Sequence, residues 1–386
     1  MTSKTGKVDR RALLKTIGSA GVFSALPEMA SGRRIVHEIA APGQDVAPTH
    51  NIKFSVIGLD HGHINSMTAA MIRGGGQLVA FHGTPPAAVA GFQKRYPQAK
   101  QVKSEDEIIN DSSIQLIACA SIPDLRARIG IRAMQHGKDF LVDKPGVTTL
   151  EQLTEVRKAV AATKKKFAIM YSERLEVKAG VKAGELIQAG EIGKVVQVVS
   201  LAPHKVTPAS RPEWFWQKKR FGGILCDIAS HSADQFVYYT GATTADVTAS
   251  QVANVKYKQY PEFEDFGDMM VHGNGGAGYI RVDWFTTDKF PVFGDGRLFV
   301  LGTEGYIEAR KYIDIAGRPA GNHLFLVNQK ETRYIDCANV PLPFGQQFVA
   351  DIVNRTQVAQ NQEQCLLATE LVLKAQKNAK VLTFAA

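Results

Sequence analysis

The sequence predicts an α/β chain: an N-terminal doubly wound parallel sheet, then a C-terminal α/β part built on a large, mostly antiparallel open sheet. Three observations predict it. Short apolar runs alternate with helical patterns from residue 52 to 171, the rhythm of parallel strands joined by covering helices. After about residue 172 that rhythm gives way to strand-like runs separated by glycine-rich turns, as in antiparallel ladders. Finally, 386 residues at 45 % hydrophobic content suffice for two cores.

In order along the chain, residues 52–58 are a buried-strand pattern ending in Gly58. Residues 64–73 read as a helix stopped by Gly74, Gly75 and Gly76. A strand follows at 77–81, then a helix at 85–95 with proline early, where its missing N–H costs little. Strands at 114–120, 139–142 and 167–171 alternate with helices at 123–135 and 150–163. A helix at 177–189 and a strand at 195–201 lead to an aromatic loop and to a helical pattern holding Asp227 and His231. Strand-like runs cover 248–257, 266–272, 278–285, 298–301, 306–309 and 323–327, and helices at 344–355 and 363–381 close the chain. The expected division is a leader at 1–41, a first domain at 51–172 and a second at 173–386.

Charge and cysteines narrow the function classes. The net charge is +9, of which residues 1–41 contribute +4, and no long Lys/Arg run or nucleic-acid motif occurs. Nucleic acid is therefore not an expected partner, and the mild basicity left favours at most an anionic ligand. No pair among Cys119, Cys226, Cys337 and Cys365 has metal or redox spacing; they read as packing, and no metal is expected. Asp9-Arg10-Arg11-Ala12-Leu13-Leu14-Lys15 resembles a twin-arginine export signal. The weak apolar stretch at 17–26 is too short to span a bilayer. A periplasmic location is expected, or a cytoplasmic one if the leader is only a basic tail.

Three segments carry chemistry. After Gly222-Gly223, Asp227 and His231 lie four apart and would share a helix face. A carboxylate beside an imidazole moves protons near neutral pH. Asp143-Lys144-Pro145 closes the first domain, completing a Lys/Asp/His set. Gly58-Leu59-Asp60-His61-Gly62-His63 is a partial version of the dinucleotide fingerprint, which would have glycine at 58, 60 and 63. A strand, a turn and a helix N-terminus still suit a phosphate. There Asp60 would repel a pyrophosphate or cap the helix. His61 and His63 would bond phosphate or substrate, or be surface histidines on a turn. The second strand ends Phe81-His82-Gly83-Thr84, without the acid that grips ribose hydroxyls, so NAD or NADP stays open.

With these residues assembled, the chain resembles the Gfo/Idh/MocA family of oxidoreductases over roughly residues 51–386. Asp143-Lys144-Pro145 is similar to the family's Glu-Lys-Pro, and Gly222-Gly223…Asp227…His231…Asp234 to its second motif. Tyr171…Arg174 and Leu301-Gly302-Thr303-Glu304-Gly305 add support. Arg126 departs, standing where the family often has histidine. The resemblance implies a Rossmann domain, NAD or NADP, and a C-terminal domain whose sheet makes a homo-oligomer, a dimer or tetramer. It implies cofactor contacts at Gly58, Asp60, His61, Gly62, His63, Thr84, Ser121, Pro123 and Lys144.

The chemistry implied is oxidation of a CH–OH group on a sugar, polyol or derivative. His231 would take the hydroxyl proton, Lys144 would stabilise the oxygen, and Asp227 would orient His231 or bind substrate. Tyr171 and Arg174 are further substrate candidates, or a core residue and a salt-bridge partner. Trp214 and Trp216 would stack on a sugar, or pack the loop. An NAD-dependent glycosidase working by transient oxidation and elimination is the rival reading, and a catalytically inert sugar-binding relative is the third.

Overall fold

The computed structural model describes residues 35–40 and 47–384; the twin-arginine motif lies outside them. Its strands are β1 (Val36–Ile39), β2 (Ile52–Ile57), β3 (Gly76–His82), β4 (Lys100–Gln101), β5 (Leu116–Cys119), β6 (Asp139–Asp143), β7 (Phe167–Met170) and β8 (Val195–Pro203). The rest are β9 (Ala245–Ala253), β10 (Phe266–Gly273), β11 (Gly276–Asp283), β12 (Arg297–Gly302), β13 (Gly305–Arg310), β14 (His323–Asn328), β15 (Thr332–Asp336) and β16 (Lys380–Val381).

The first sheet runs β4-β3-β2-β5-β6-β7, all parallel. Counted from β2, this is the 3-2-1-4-5-6 order of a doubly wound dinucleotide fold. Phe54, Val56, Leu116, Ile117, Phe140, Leu141, Phe167 and Ile169 are all 0 % exposed. That is why these strands read as continuous apolar runs: both faces are covered by helices. Each such side chain contributes about 1.5–3 kcal/mol on leaving water. The order reverses between β2 and β5, so their carboxyl ends open a crevice there.

The second sheet has ten strands in the order β1-β15-β14-β13-β12-β8-β11-β10-β9-β16, mostly antiparallel. Its two faces differ in burial across the central strands. One cross-strand row is Met269, Ile280, Ser200, Leu298, Ala309, Leu324 and Ile335, and all seven are buried. The adjacent row on the other face, Met270, Tyr279, Val199, Phe299, Glu308, Phe325 and Tyr334, is more exposed, with Met270 at 50 %.

The last two helices run back to the first sheet. Phe344–Asn354 packs on Ile64–Arg73, so closely that a Cβ on Gly345 would lie 2.1 Å from the Ala70 carbonyl oxygen. Gln362–Asn378 touches β7, β9 and the helices Leu150–Thr163 and Ala229–Thr240. The Gln360 and Gln362 side-chain amides bond the backbone of Ile169 and Phe167, which occupies the open edge of β7.

Several elements differ from the sequence reading. Val36–Ile39, inside the expected leader, is instead a strand paired parallel to β15, with Glu38 bonded to Arg333 at 2.6 Å. The closing helix stops at Asn378, and Lys380–Val381 pairs with β9. The strand Thr332–Asp336 and the helix Glu105–Ile109 were not expected. The helical pattern around Asp227 is two helices, Ile224–Asp227 and Ala229–Thr240, broken at Ile228.

Candidate active site

The crevice is built first by the turn after β2. Gly58 has φ +85° and its N–H donates to the His82 carbonyl at 2.9 Å. A Cβ there would sit 2.6 Å from the Ser121 backbone nitrogen, so the crossing of β2 and β5 requires glycine. Gly62 faces open space, where a Cβ would meet nothing within 4 Å. His63 is the N-cap of the helix Ile64–Arg73 and gives no side-chain cap. Asp60 therefore does not cap this helix; burial pushes its carboxyl above the ordinary 3.8, against Arg126 and Arg220. Pro123 starts the helix Pro123–Gln135.

The end of β6 supplies the next layer. Asp143 is fully buried and accepts from His61 Nδ1 at 2.7 Å, His63 Nδ1 at 3.0 Å and Arg126 Nη2 at 3.1 Å. Burial opposes its ionisation, but His63, Arg126 and His61 outweigh it and hold the carboxyl well below the usual range. Arg126, 1 % exposed, also donates to the carbonyls of Ser121, Asp143 and Pro145. It clamps the ends of β5 and β6 together, which is the work of the arginine that departs from the resemblance.

Lys144 Nζ donates to Asp227 Oδ1 at 2.7 Å, with the two side chains 6 % and 14 % exposed. Asp227 therefore engages Lys144, where the sequence reading paired it with His231. Ile228, between the two helices, stays in the right-handed helical region (φ −94°, ψ −45°), so Asp227 and His231 both reach the cavity, but the carboxylate is taken by Lys144. His231, in the first turn of the next helix, is buried, and its Nδ1 has no hydrogen-bond partner among the described residues. Burial, reinforced by Lys144 and His63, drives its pKa well below 6.5, so the imidazole is neutral at physiological pH.

Lys144, Asp227, His231, His61, His63, Pro123 and Trp214 line one cavity of about 200 Å³. Other candidates lie elsewhere. Tyr171 is core: its hydroxyl hydrogen-bonds the Thr369 hydroxyl at 2.8 Å and its ring meets His231 edge-on at 6.3 Å. Arg174 makes a buried two-pronged pair with Asp234, at 2.6 and 3.0 Å. Trp216 stacks on Tyr260 at 3.7 Å, packing the loop. Gly58, Asp60, Gly62, Thr84 and Ser121 belong to the neighbouring strand-end turns and not to this cavity wall.

The opposite wall was missed by sequence reasoning. It holds Glu173, His204, Arg211, Trp284, Phe293, Lys311 and Tyr312. Lys311 bonds Glu173 at 2.5 Å, and the Arg211 guanidinium lies 4.3 Å from the Phe215 ring centre. Glu173 comes from the short helix Ser172–Leu175 after β7, and the others from the segments that follow β8, β11 and β13 and precede β12. They share no local motif, and only the tertiary fold brings them together.

Comparison with known proteins agrees with this fold. Residues 52–171 match a family model described as "Oxidoreductase family, NAD-binding Rossmann fold", and residues 181–308 match "GFO/IDH/MocA C-terminal domain". A provisionally named oxidoreductase from Erwinia carotovora atroseptica SCRI1043 is 44 % identical, covering 86 % of this chain and 100 % of that one, with a TM-score of 0.83. Levoglucosan dehydrogenase in complex with NADH shares the fold at 18 % identity and TM-score 0.71, covering 85 % of this chain and 98 % of that one. The scyllo-inositol 2-dehydrogenase (NAD(+)) of Bacillus subtilis is 24 % identical over 67 % of this chain and 73 % of its own length. The chain spans only 39 % of the D-xylose dehydrogenase of Paenarthrobacter nicotinovorans, at 26 % identity over 39 % of this chain. It spans 47 % of the uncharacterized oxidoreductase C115.03 of Schizosaccharomyces pombe.

Proposed function

The chain belongs to the Gfo/Idh/MocA family of oxidoreductases, and from that premise we propose that it is an NAD(P)-dependent dehydrogenase acting on a CH–OH group of a sugar, polyol or derivative. One observation carries the reading. A paired lysine, Lys144, and a neutral buried histidine, His231, face one cavity at the carboxyl ends of parallel strands, where ligands of open α/β sheets bind.

The residues present fit a dinucleotide. Gly58 leaves the backbone bare at the crossing, and Gly62 opens the turn. When bound, the nicotinamide supplies the hydride acceptor. This chain's side chains do the rest. His231, neutral and lining the cavity, is suited to accept the hydroxyl proton. Lys144 donates to the reacting oxygen and stabilises the negative charge that develops there. Asp227 fixes the direction of the Lys144 side chain, and Trp214 offers an aromatic face for a sugar ring.

A homo-oligomer formed through the large sheet is part of the proposal. The row Met270, Tyr279, Val199, Phe299, Phe325 and Tyr334 gives an apolar strip interrupted only by Glu308, of the kind that marks an interface. Export by the twin-arginine route is proposed from the leader motif alone.

The test is a panel of sugars and polyols with NAD and NADP, read by nicotinamide absorbance. At least one substrate should reduce one cofactor, and Lys144→Met should abolish it. No reduction anywhere in the panel, with no nucleotide uptake, would refute the reading.

A further inference from the structure

We propose that His61, His63 and Asp143 form a binding site for a divalent first-row transition-metal ion, opening into the cavity beside Lys144. No metal was expected from the sequence, where no pair of cysteines has metal-ligand spacing. The site exists only through the fold: His61 and His63 come from the turn after β2, and Asp143 from the end of β6, some 80 residues on.

The geometry suits coordination. One ligating atom from each residue lies within 4.8 Å of the other two. The His61 and His63 Nδ1 atoms sit 2.7 and 3.0 Å from the two Asp143 oxygens. Cis ligands about 2.1 Å from one octahedral ion are about 3 Å apart, close to these two nitrogen–oxygen separations. Two imidazoles and one carboxylate are a set that holds such ions while leaving further positions open.

Burial points the same way. Asp143 is fully enclosed, whereas the His61 and His63 side chains are 26 % and 42 % exposed and line the cavity. The closed side is protein and the open side is solvent or substrate. Outer contacts hold the ligands in place: Arg126 donates from Nη2 to the Asp143 carboxylate and from Nη1 to the Asp143 backbone carbonyl, and the His61 backbone N–H donates to the Ala120 carbonyl, which fixes the turn. A hydrogen-bonded carboxylate ligand is usual in metal sites. His63 also stands where the dinucleotide fingerprint has its third glycine, so the turn carries a ligand where that motif carries no side chain. A bound ion would take a substrate hydroxyl or carboxylate oxygen at an open position.

The test uses the full, untagged chain, stripped with chelator and free of nucleotide, titrated with Co²⁺ and back-titrated with Zn²⁺. One equivalent of Co²⁺ should bind with visible ligand-field bands and be displaced by Zn²⁺. His61→Ala and His63→Gln, each checked for a native circular-dichroism spectrum, should weaken binding at least about tenfold. His63 lies on a half-exposed turn, so its variant keeps the test alive if another fails to fold. No stoichiometric binding by the wild-type chain, or equal binding by both variants, would overturn the proposal. Because the readout needs no turnover, a chain that binds cobalt but no nicotinamide sinks the dehydrogenase reading alone, and the reverse result sinks the metal alone.

Discussion

The Lys144–Asp227 pair makes a prediction that separates stability from function. Both side chains are largely withdrawn from water, at 6 % and 14 % exposure, and their charged atoms are 2.7 Å apart. Removing one partner of such a pair strands the other charge, at a cost of about 3–5 kcal/mol. Two features place each single variant near the lower end. In Lys144→Met, Asp227 still interacts with the Arg211 charge. In Asp227→Asn, the amide oxygen still accepts from Lys144. We therefore expect each to lose about 3 kcal/mol. The double variant strands neither charge, so its loss should not exceed that of either single variant, about 3 kcal/mol, a coupling of at least about 3 kcal/mol. Activity should behave differently: Lys144→Met and the double variant should fall at least about a hundredfold in kcat/KM, because the oxygen loses its donor, while Asp227→Asn, which keeps Lys144, should fall less. The assay is guanidinium unfolding of the four proteins without nucleotide, beside steady-state rates. Losses that add to within about 0.5 kcal/mol would show the two side chains to be energetically independent and would refute the pairing.

The histidines set a pH dependence. Burial, helped by Lys144, depresses His204 to about 4, and His231 is displaced the same way. Between about 4 and the ordinary 6.5 the unfolded chain binds more protons, so stability should be full above pH 6.5 and fall as pH drops toward 4; urea midpoints across that range check it, and stability that rises toward pH 4 would reverse the sign. The acid limb of kcat/KM for oxidation should likewise lie below pH 6.5 if His231 is the base. Gly58→Ala should cost about 2–4 kcal/mol from its positive φ and its collision with Ser121, and thermal unfolding within about a degree of wild type would contradict the crossing described. Trp214→Phe should raise KM for a sugar severalfold while Trp216→Phe leaves KM unchanged, since only Trp214 lines the cavity; equal effects would reassign the loop.

What the sequence made legible was what depends on local pattern. Continuous apolar runs such as Phe54–Ile57 and Phe167–Ile169 announced a sheet covered on both faces, because burial on both sides leaves no room for polar residues. The order of motifs located Lys144, Asp227 and His231, and all three reach one cavity. What failed was pairing. The spacing of Asp227 and His231 brings both to one cavity, yet Lys144, 83 residues away, captures the carboxylate. Arg174 found Asp234 and Tyr171 found Thr369 for the same reason: nothing local distinguishes a buried partner from a substrate. The far wall was invisible because it joins Glu173, from the short helix after β7, to His204 and Lys311, from segments that follow β8 and β13 of the other sheet. The strand Val36–Ile39 is four residues at a sheet edge, too short for periodicity to mark inside a basic leader.

The central claim is that this crevice holds a nicotinamide dinucleotide against Lys144 and His231. The most direct test is native mass spectrometry of the purified chain, first as isolated and then with added NADH and NADPH, beside Lys144→Met. The account predicts one nucleotide per chain in at least one of these states, with Lys144→Met weaker in uptake or inactive while still folded. A folded wild-type chain that carries neither nucleotide and takes up neither on addition would contradict it.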